Sequence, residues 1–259
     1  MCSVVRAGAA SLALTVLAAV SAAAQIPDSF ENLQVLPKTI SRRELMDTMR
    51  GFALGLGVRC QFCHVGEEGA PLSTFNFKSD EKPTKHTARV MLRMVMAINN
   101  DHLSQLDTIA HMHEGMEHSP EDRVQVQCVT CHRGVSRPVP LERLLADVVA
   151  DSGIDAAVRR YAELKGRYFG GFAYDFRERP LLTLAAQRME QKDAAGALTL
   201  LRLNLESNPQ SWMSQLSLGD AFVTLGQRDS AQASYRRALA MQPDNGMIKQ
   251  KLQQLEGQN

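Results

Sequence analysis

Residues 41–64 read SRRELMDTMRGFALGLGVRCQFCH, and the fold turns on this stretch. Ser41 followed three positions later by Glu44 is a capping box that opens a helix. Leu45, Met49, Phe52, Ala53 and Leu56 then recur at helical spacing on one face. Gly55 and Gly57 are expected to stop the helix. The chain turns and runs at once into Cys60-Gln61-Phe62-Cys63-His64. The same pentad pattern returns at Cys128-Val129-Thr130-Cys131-His132, and apart from Cys2 every cysteine of the chain belongs to one of the two.

Two thiols three positions apart on a turn can each add to a vinyl group of a porphyrin and clamp the ring. The His after the second Cys then projects under the iron as proximal ligand, which is why C-x-x-C-H is the attachment signature of c-type haem. The pattern predicts two covalently attached c-type haems: one on Cys60 and Cys63 with His64 as axial ligand, one on Cys128 and Cys131 with His132. Other uses of these residues fit less well. Disulfides are common in exported proteins, but they need no His after the second Cys. A thioredoxin-like pair wants a βαβ context. A four-cysteine zinc site would have to bridge a gap of 64 residues and would leave both His unexplained.

For the far side of the first iron, Met49 stands 11 residues before Cys60. The glycine turn lets the chain double back, with the Met49 thioether on one side of a ring and His64 on the other. Met46, on a neighbouring face, is the alternative, and packing in the core is the other use of a Met on an apolar stripe. A second helix is predicted from near Thr84 to Asn99, entered through Pro83 and carrying Ala88, Met91, Leu92, Met94, Val95 and Ile98. Met91 is the favoured distal ligand for the second iron and Met94 its alternative; Met96 points elsewhere, because successive residues turn by about 100°. His86 reads as surface. The stretch holding His102, His111, His113, Met116 and His118 could supply a bis-His set or a metal site, or be solvated loop, since no i, i+4 pair or carboxylate cluster organises it.

Composition supports helices and excludes several classes. The chain has 259 residues, 44% hydrophobic and 22% charged, a globular balance, and only 5% aromatic, which argues against a sandwich or barrel. With Lys plus Arg at 29 and Asp plus Glu at 28, there is no basic excess to neutralise phosphates, so nucleic acid is not an expected partner. Residues 1–24 read as a signal peptide: one cation at Arg6, an apolar run from Ala7 to Val20, then small residues, with cleavage between Ala24 and Gln25. The run is too short for a comfortable spanning helix. The expectation is a periplasmic or otherwise exported protein with no transmembrane segment after cleavage. Loss of Arg6 leaves the mature chain formally neutral, so any excess negative charge comes from a cofactor.

Beyond spacing, residues 34–139 resemble the cytochrome c subunit of photosynthetic reaction centres. The resemblance rests on Leu36–Ile40, on the helix ending Leu56-Gly57-Val58-Arg59 before the first pentad, on Ala88-Arg89-Val90-Met91-Leu92-Arg93-Met94 with Ile98-Asn99, and on Val129-Thr130-Cys131-His132-Arg133-Gly134. In that family each haem is built as helix, turn and C-x-x-C-H, with a helix Met opposite most His ligands. The resemblance implies Met49 with His64 and Met91 with His132. Two departures matter. Members bound to reaction centres carry four pentads, whereas this chain has two. A family His a few residues before the second pentad serves a later haem that is absent here; the matching position is Pro120, and His118 is the nearest His. A reaction-centre partner therefore does not follow.

After Pro140 a 34-residue repeat pairs Leu182 with Leu216, Ala197 with Ala231, Leu201 with Tyr235, Leu205 with Leu239 and Pro209 with Pro243. That period belongs to tetratricopeptide repeats. Residues 212–245 resemble a complete unit and 178–211 a more degenerate one, with 246–256 as capping helix and Asp155–Tyr168 helping to supply a third unit. The Tyr161, Tyr168 and Tyr174 stretch reads as packing between domains. The expected organisation is all-α: signal peptide 1–24, a dihaem cytochrome domain 25–140, a helical connector 141–177, and TPR-like repeats with capping helix 178–256.

Met/His ligation fills both axial positions and raises potential relative to bis-His. The leading expectation is an electron carrier between a donor and an acceptor redox protein, with the repeats docking a partner or mediating self-association. The alternatives are a dihaem peroxidase-type enzyme with one five-coordinate iron, and a TPR scaffold or redox sensor in which haem only reports.

Overall fold

The computed structural model describes residues 30–106 and 124–257. The expected signal peptide with its expected cleavage point, and His111, His113, Met116, His118 and Pro120, lie outside the described residues. The structure is all-α: among the described residues there are helices and turns, and the only ladder pairing is a single bridge, Val65 with Asn76. The chain divides into two compact units. One comprises residues 30–42 and Cys60–Arg93; the other comprises Arg43–Arg59 and the chain from Met94 onward.

Helix α1 spans Arg42–Leu56, with Glu44 in its first turn, where a carboxylate complements the exposed N–H groups. Its end differs from expectation at one glycine. Gly55 lies inside the helix and is buried, and Gly57 alone stops it, at φ 66°. The amides of Gly57 and Val58 return to the carbonyls of Leu54 (3.2 Å) and Ala53 (3.0 Å), which satisfies the carbonyls left over at a helix C-terminus.

In the first unit, Cys60–Phe62 and Leu72–Thr74 form single 3₁₀ turns. Helix α2 spans Pro83–Ala97 and begins with a proline, whose missing N–H costs nothing there. It does not stop at Asn99: a wider π turn carries it through Ile98–Leu103. Asn99 lies in this turn, and its side chain bonds the Val126 backbone both ways, donating to the carbonyl (2.9 Å) and accepting from the amide (2.8 Å).

In the second unit, the short α3 (Cys128–His132) opens on a capping box made by Gln127 and Thr130 and closes on Arg133 in the left-handed region, φ 49°. Gly134 donates to the Gly55 carbonyl at 2.9 Å. Next come α4 (Leu141–Ser152), α5 (Ile154–Tyr168), α6 (Glu178–Glu190), α7 (Ala194–Ser207), α8 (Trp212–Thr224), α9 (Arg228–Met241) and α10 (Gly246–Glu256). From α6 on, consecutive helices pack together, and α4 and α6, α5 and α7, and α6 and α8 also touch, which is the nearest-neighbour stacking of a solenoid. The repeat-paired residues Ala197, Ala231, Leu201 and Tyr235 sit in its core, with Leu182, Leu216, Leu205 and Leu239 packed against it. Each fully buried leucine there contributes roughly 2 kcal/mol. Tyr161, Tyr168 and Tyr174 belong to this same stack, edge-on to Phe176 or to each other. They fill the seam between α5 and the loop before α6.

Candidate functional site

The two pentads take up different local folds. Cys60-Gln61-Phe62 is a 3₁₀ turn, with His64 N returning to Cys60 O at 2.9 Å; Cys128–His132 is a single α-turn. All four thiols are free. In each pair one thiol is exposed (Cys60, Cys131) and the other partly covered, and burial pushes the Cys63 and Cys128 thiols up from their ordinary pKa.

His132 is buried, and its Nδ1 lies 2.9 Å from the Val135 carbonyl. A carbonyl can only accept, so Nδ1 carries a proton, and in the neutral ring the lone pair is the one on Nε2. The turn that supplies this acceptor is closed by Val135 N on His132 O at 2.9 Å. His64 differs. Its Nδ1 is buried and has no hydrogen-bond partner among the described residues, while its ring meets Phe77 edge-on at 4.9 Å. Burial, followed by the charges of Lys85, Arg89 and Lys82, lowers its pKa to about 4, so it is neutral at neutral pH, the form that can ligate a metal.

Of those cations, Lys82 bonds the first pentad directly, and Lys85 and Arg89 stand behind it. Lys82 donates to the Gln61 carbonyl and Thr84 to that of Phe62. Lys85, although a lysine, is buried; it bonds the carbonyls of Phe77 (2.8 Å) and Ser79 (2.7 Å) and pairs with Asp80 at 3.0 Å. Arg89 pairs with the same Asp80 oxygen at 2.9 Å. Asn32 adds a third bond to that oxygen at 2.8 Å, and Arg89 foremost holds the Asp80 carboxyl well below the ordinary carboxylate range.

Met46 and Met49 are half-buried on α1, in the second unit; Met91 is half-buried on α2, in the first. Met94 and Met96 are exposed, at 42% and 43%. His86 is exposed and reaches the Asp80 carbonyl at 3.0 Å; His102 is exposed as well. Among the described residues no group of three or more His, Cys, Asp or Glu could hold a bare metal ion. Asn99 and the Val135 carbonyl are the site-shaping groups that sequence reasoning missed; only the asparagine, near the end of the helix pattern, left a trace there.

Two observations test whether these residues fit a haem. First, the donor set is right: free thiol pairs, each followed by an imidazole that is neutral or has its Nε2 free. Second, between residues 30 and 140 the only buried hydrophobic side chains among the described residues are Leu45, Phe75 and Val135, while Leu54, Phe62, Val90 and Val129 are exposed. Apolar surface of that kind is what the faces of a macrocycle cover. The residues fit.

A family model described as photosynthetic reaction centre cytochrome C subunit matches residues 18–150. Cytochrome c-554 of Chloroflexus aurantiacus is 34% identical over 102 residues, covering 39% of this chain and 20% of that protein, so the match spans a fifth of the relative's length. Among solved structures, the first TPR of Spaghetti (RPAP3) bound to an HSP90 peptide is similar at TM-score 0.33 and 19% identity, over 45% of this chain and 88% of the other. The first TPR domain of human RPAP3 is similar at TM-score 0.33 and 17% identity, over 45% and 87%.

Proposed function

This chain belongs to the photosynthetic reaction centre cytochrome C subunit family, and from that premise we propose that it is an exported dihaem electron carrier working between a donor and an acceptor redox protein. Its TPR-like helices dock one of these partners or a second copy of the chain. The observation that carries the reading is the His132 ring, buried inside a C-x-x-C-H pentad, its Nδ1 on the Val135 carbonyl and its Nε2 free. A ring held in this way is set to ligate iron through Nε2.

Bound haem supplies a one-electron couple at its iron. The chain's own residues do the rest. Cys60 with Cys63, and Cys128 with Cys131, hold the two rings covalently. His64 and His132 would bind the irons, and Met49 and Met91 would complete the ligand sets, on the strength of sequence spacing and the family pattern, with Met46 and Met94 as the alternatives. The proposed organisation is a signal peptide over 1–24, a haem-bearing part over 25–140, a connector over 141–177 and repeats over 178–256. No helix among the described residues is long and apolar enough to cross a membrane.

The test is to mature the full chain in a host with haem-attachment machinery and record intact mass together with optical and magnetic spectra. Two covalent haems per chain, both low-spin with Met/His signatures, are expected. A bare polypeptide mass would sink the reading, and a high-spin iron with peroxide turnover would move it to the peroxidase class. Met49→Ala should leave the first haem attached and lower its potential, as loss of a thioether ligand does; an unchanged potential removes Met49 from the ligand set.

A further inference from the structure

The two pentads lie in electrostatically unequal surroundings, and the inequality runs the same way on two independent counts. The first is the ring nitrogen opposite the iron-binding one. His132 Nδ1 has a carbonyl acceptor at 2.9 Å; His64 Nδ1 has none among the described residues. A hydrogen bond at Nδ1 makes an imidazole a stronger donor through Nε2, and a stronger donor favours ferric over ferrous iron.

The second count is charge. The cation next to the second pentad, Arg133, is exposed and bonds the Phe172 carbonyl, so water screens it, whereas the cations around the first pentad are largely covered. Lys82, just before α2, and Thr84, in its first turn, bond the carbonyls of Gln61 and Phe62 inside the first pentad. Lys85 bonds the carbonyl of Phe77, whose ring lies against His64. Arg89 is one turn further on, its side chain only 11% exposed, and its Nη1 is buried with no acceptor among the described residues. The one carboxylate in contact, Asp80, is shared between Lys85 and Arg89. Glu67, Glu68 and Glu81 are exposed, so water screens them. A net positive, poorly screened cluster disfavours the more positive oxidised state of whatever it faces.

We infer that Lys82, Lys85 and Arg89 act as positioning charges which, with the unpartnered ring of His64, make the first haem site the higher-potential of the two. The inference rests on the dihaem reading above. In a redox titration of the full dihaem chain two waves are expected, and both Arg89→Gln and Lys82→Gln should lower the upper wave and leave the lower one in place. The expected size is at least threefold in that site's reduction equilibrium, where tenfold is about 59 mV for one electron. Arg89→Lys, which keeps the charge, should restore the upper wave, a rescue that a purely structural role would not give. Lys82 is only half-buried, so its variant carries the test if loss of the buried guanidinium unfolds the chain. Movement of the lower wave, or of neither, overturns the inference with the dihaem reading intact. Fewer than two haems per chain removes both together.

Discussion

At the scale of the residue, position and partner decide what a side chain can do. Lys85 is buried because two carbonyls and a carboxylate accept from its ammonium; unpaired, it would be expelled to water. Tyr235 shows the same principle with a measurable pH signature. It is buried, donates to Asp220 at 2.7 Å, and burial together with that carboxylate pushes its phenol far above the ordinary value. Above about pH 10 the unfolded chain loses this proton and the folded chain keeps it, so stability falls with rising pH by up to about 1.4 kcal/mol per unit. Tyr161 and Tyr174 are pushed the same way by burial. Tyr235→Phe should therefore flatten the alkaline slope in denaturant titrations at pH 10–12 without abolishing it, and lose roughly 1 kcal/mol at neutral pH from the missing hydrogen bond.

At the scale of the element, the approach of α1 to α3 depends on glycine. A Cβ at Gly57 would sit 2.0 Å from the Gly134 carbonyl oxygen, on a backbone already at positive φ. Gly57→Ala should cost at least about 2 kcal/mol, since the left-handed conformation alone costs 1–2 for a residue with a Cβ; thermal unfolding of the haem-loaded chain reads it. The π turn after α2 is a second junction. Asn99→Ala strands the amide and carbonyl of Val126, two residues before Cys128, and should cost on the order of 1–3 kcal/mol. Faster hydrogen exchange at Val126 would localise the loss, whereas unchanged protection there would show that the pairing is dispensable.

Across the whole molecule, core is unevenly shared. The buried apolar cluster runs from Leu141 to Leu255, and the pentad-bearing residues before it contribute few members of their own. A chain that has folded without haem should behave accordingly, because a ligand that binds only the native state stabilises what it touches. Limited proteolysis of haem-free protein is expected to cut between residues 30 and 140 and to spare 141–256. Equal protection of both parts would mean that the pentad region owns enough packing to stand alone.

The all-α class, the haem signature and the repeat were legible along the chain because each is a local or periodic pattern: 3.6-residue spacing, a pentad, a 34-residue period. Such patterns depend on neighbours in sequence, so they survive without coordinates. Gly55 misled for the same reason. Locally it looks like a stop, and only the approach of Val129 and Cys128, at 3.0–3.1 Å from where its Cβ would be, explains a glycine held inside a helix. The spare nitrogen of His64 and the burial of Lys85 and Arg89 were decided by tertiary structure alone, and the His132 Nδ1 proton by a three-residue turn that no sequence pattern announces. Each depends on which carbonyl, ring or carboxylate the fold brings within about 3 Å, and hydrogen bonding and desolvation act at that distance whatever the separation along the chain.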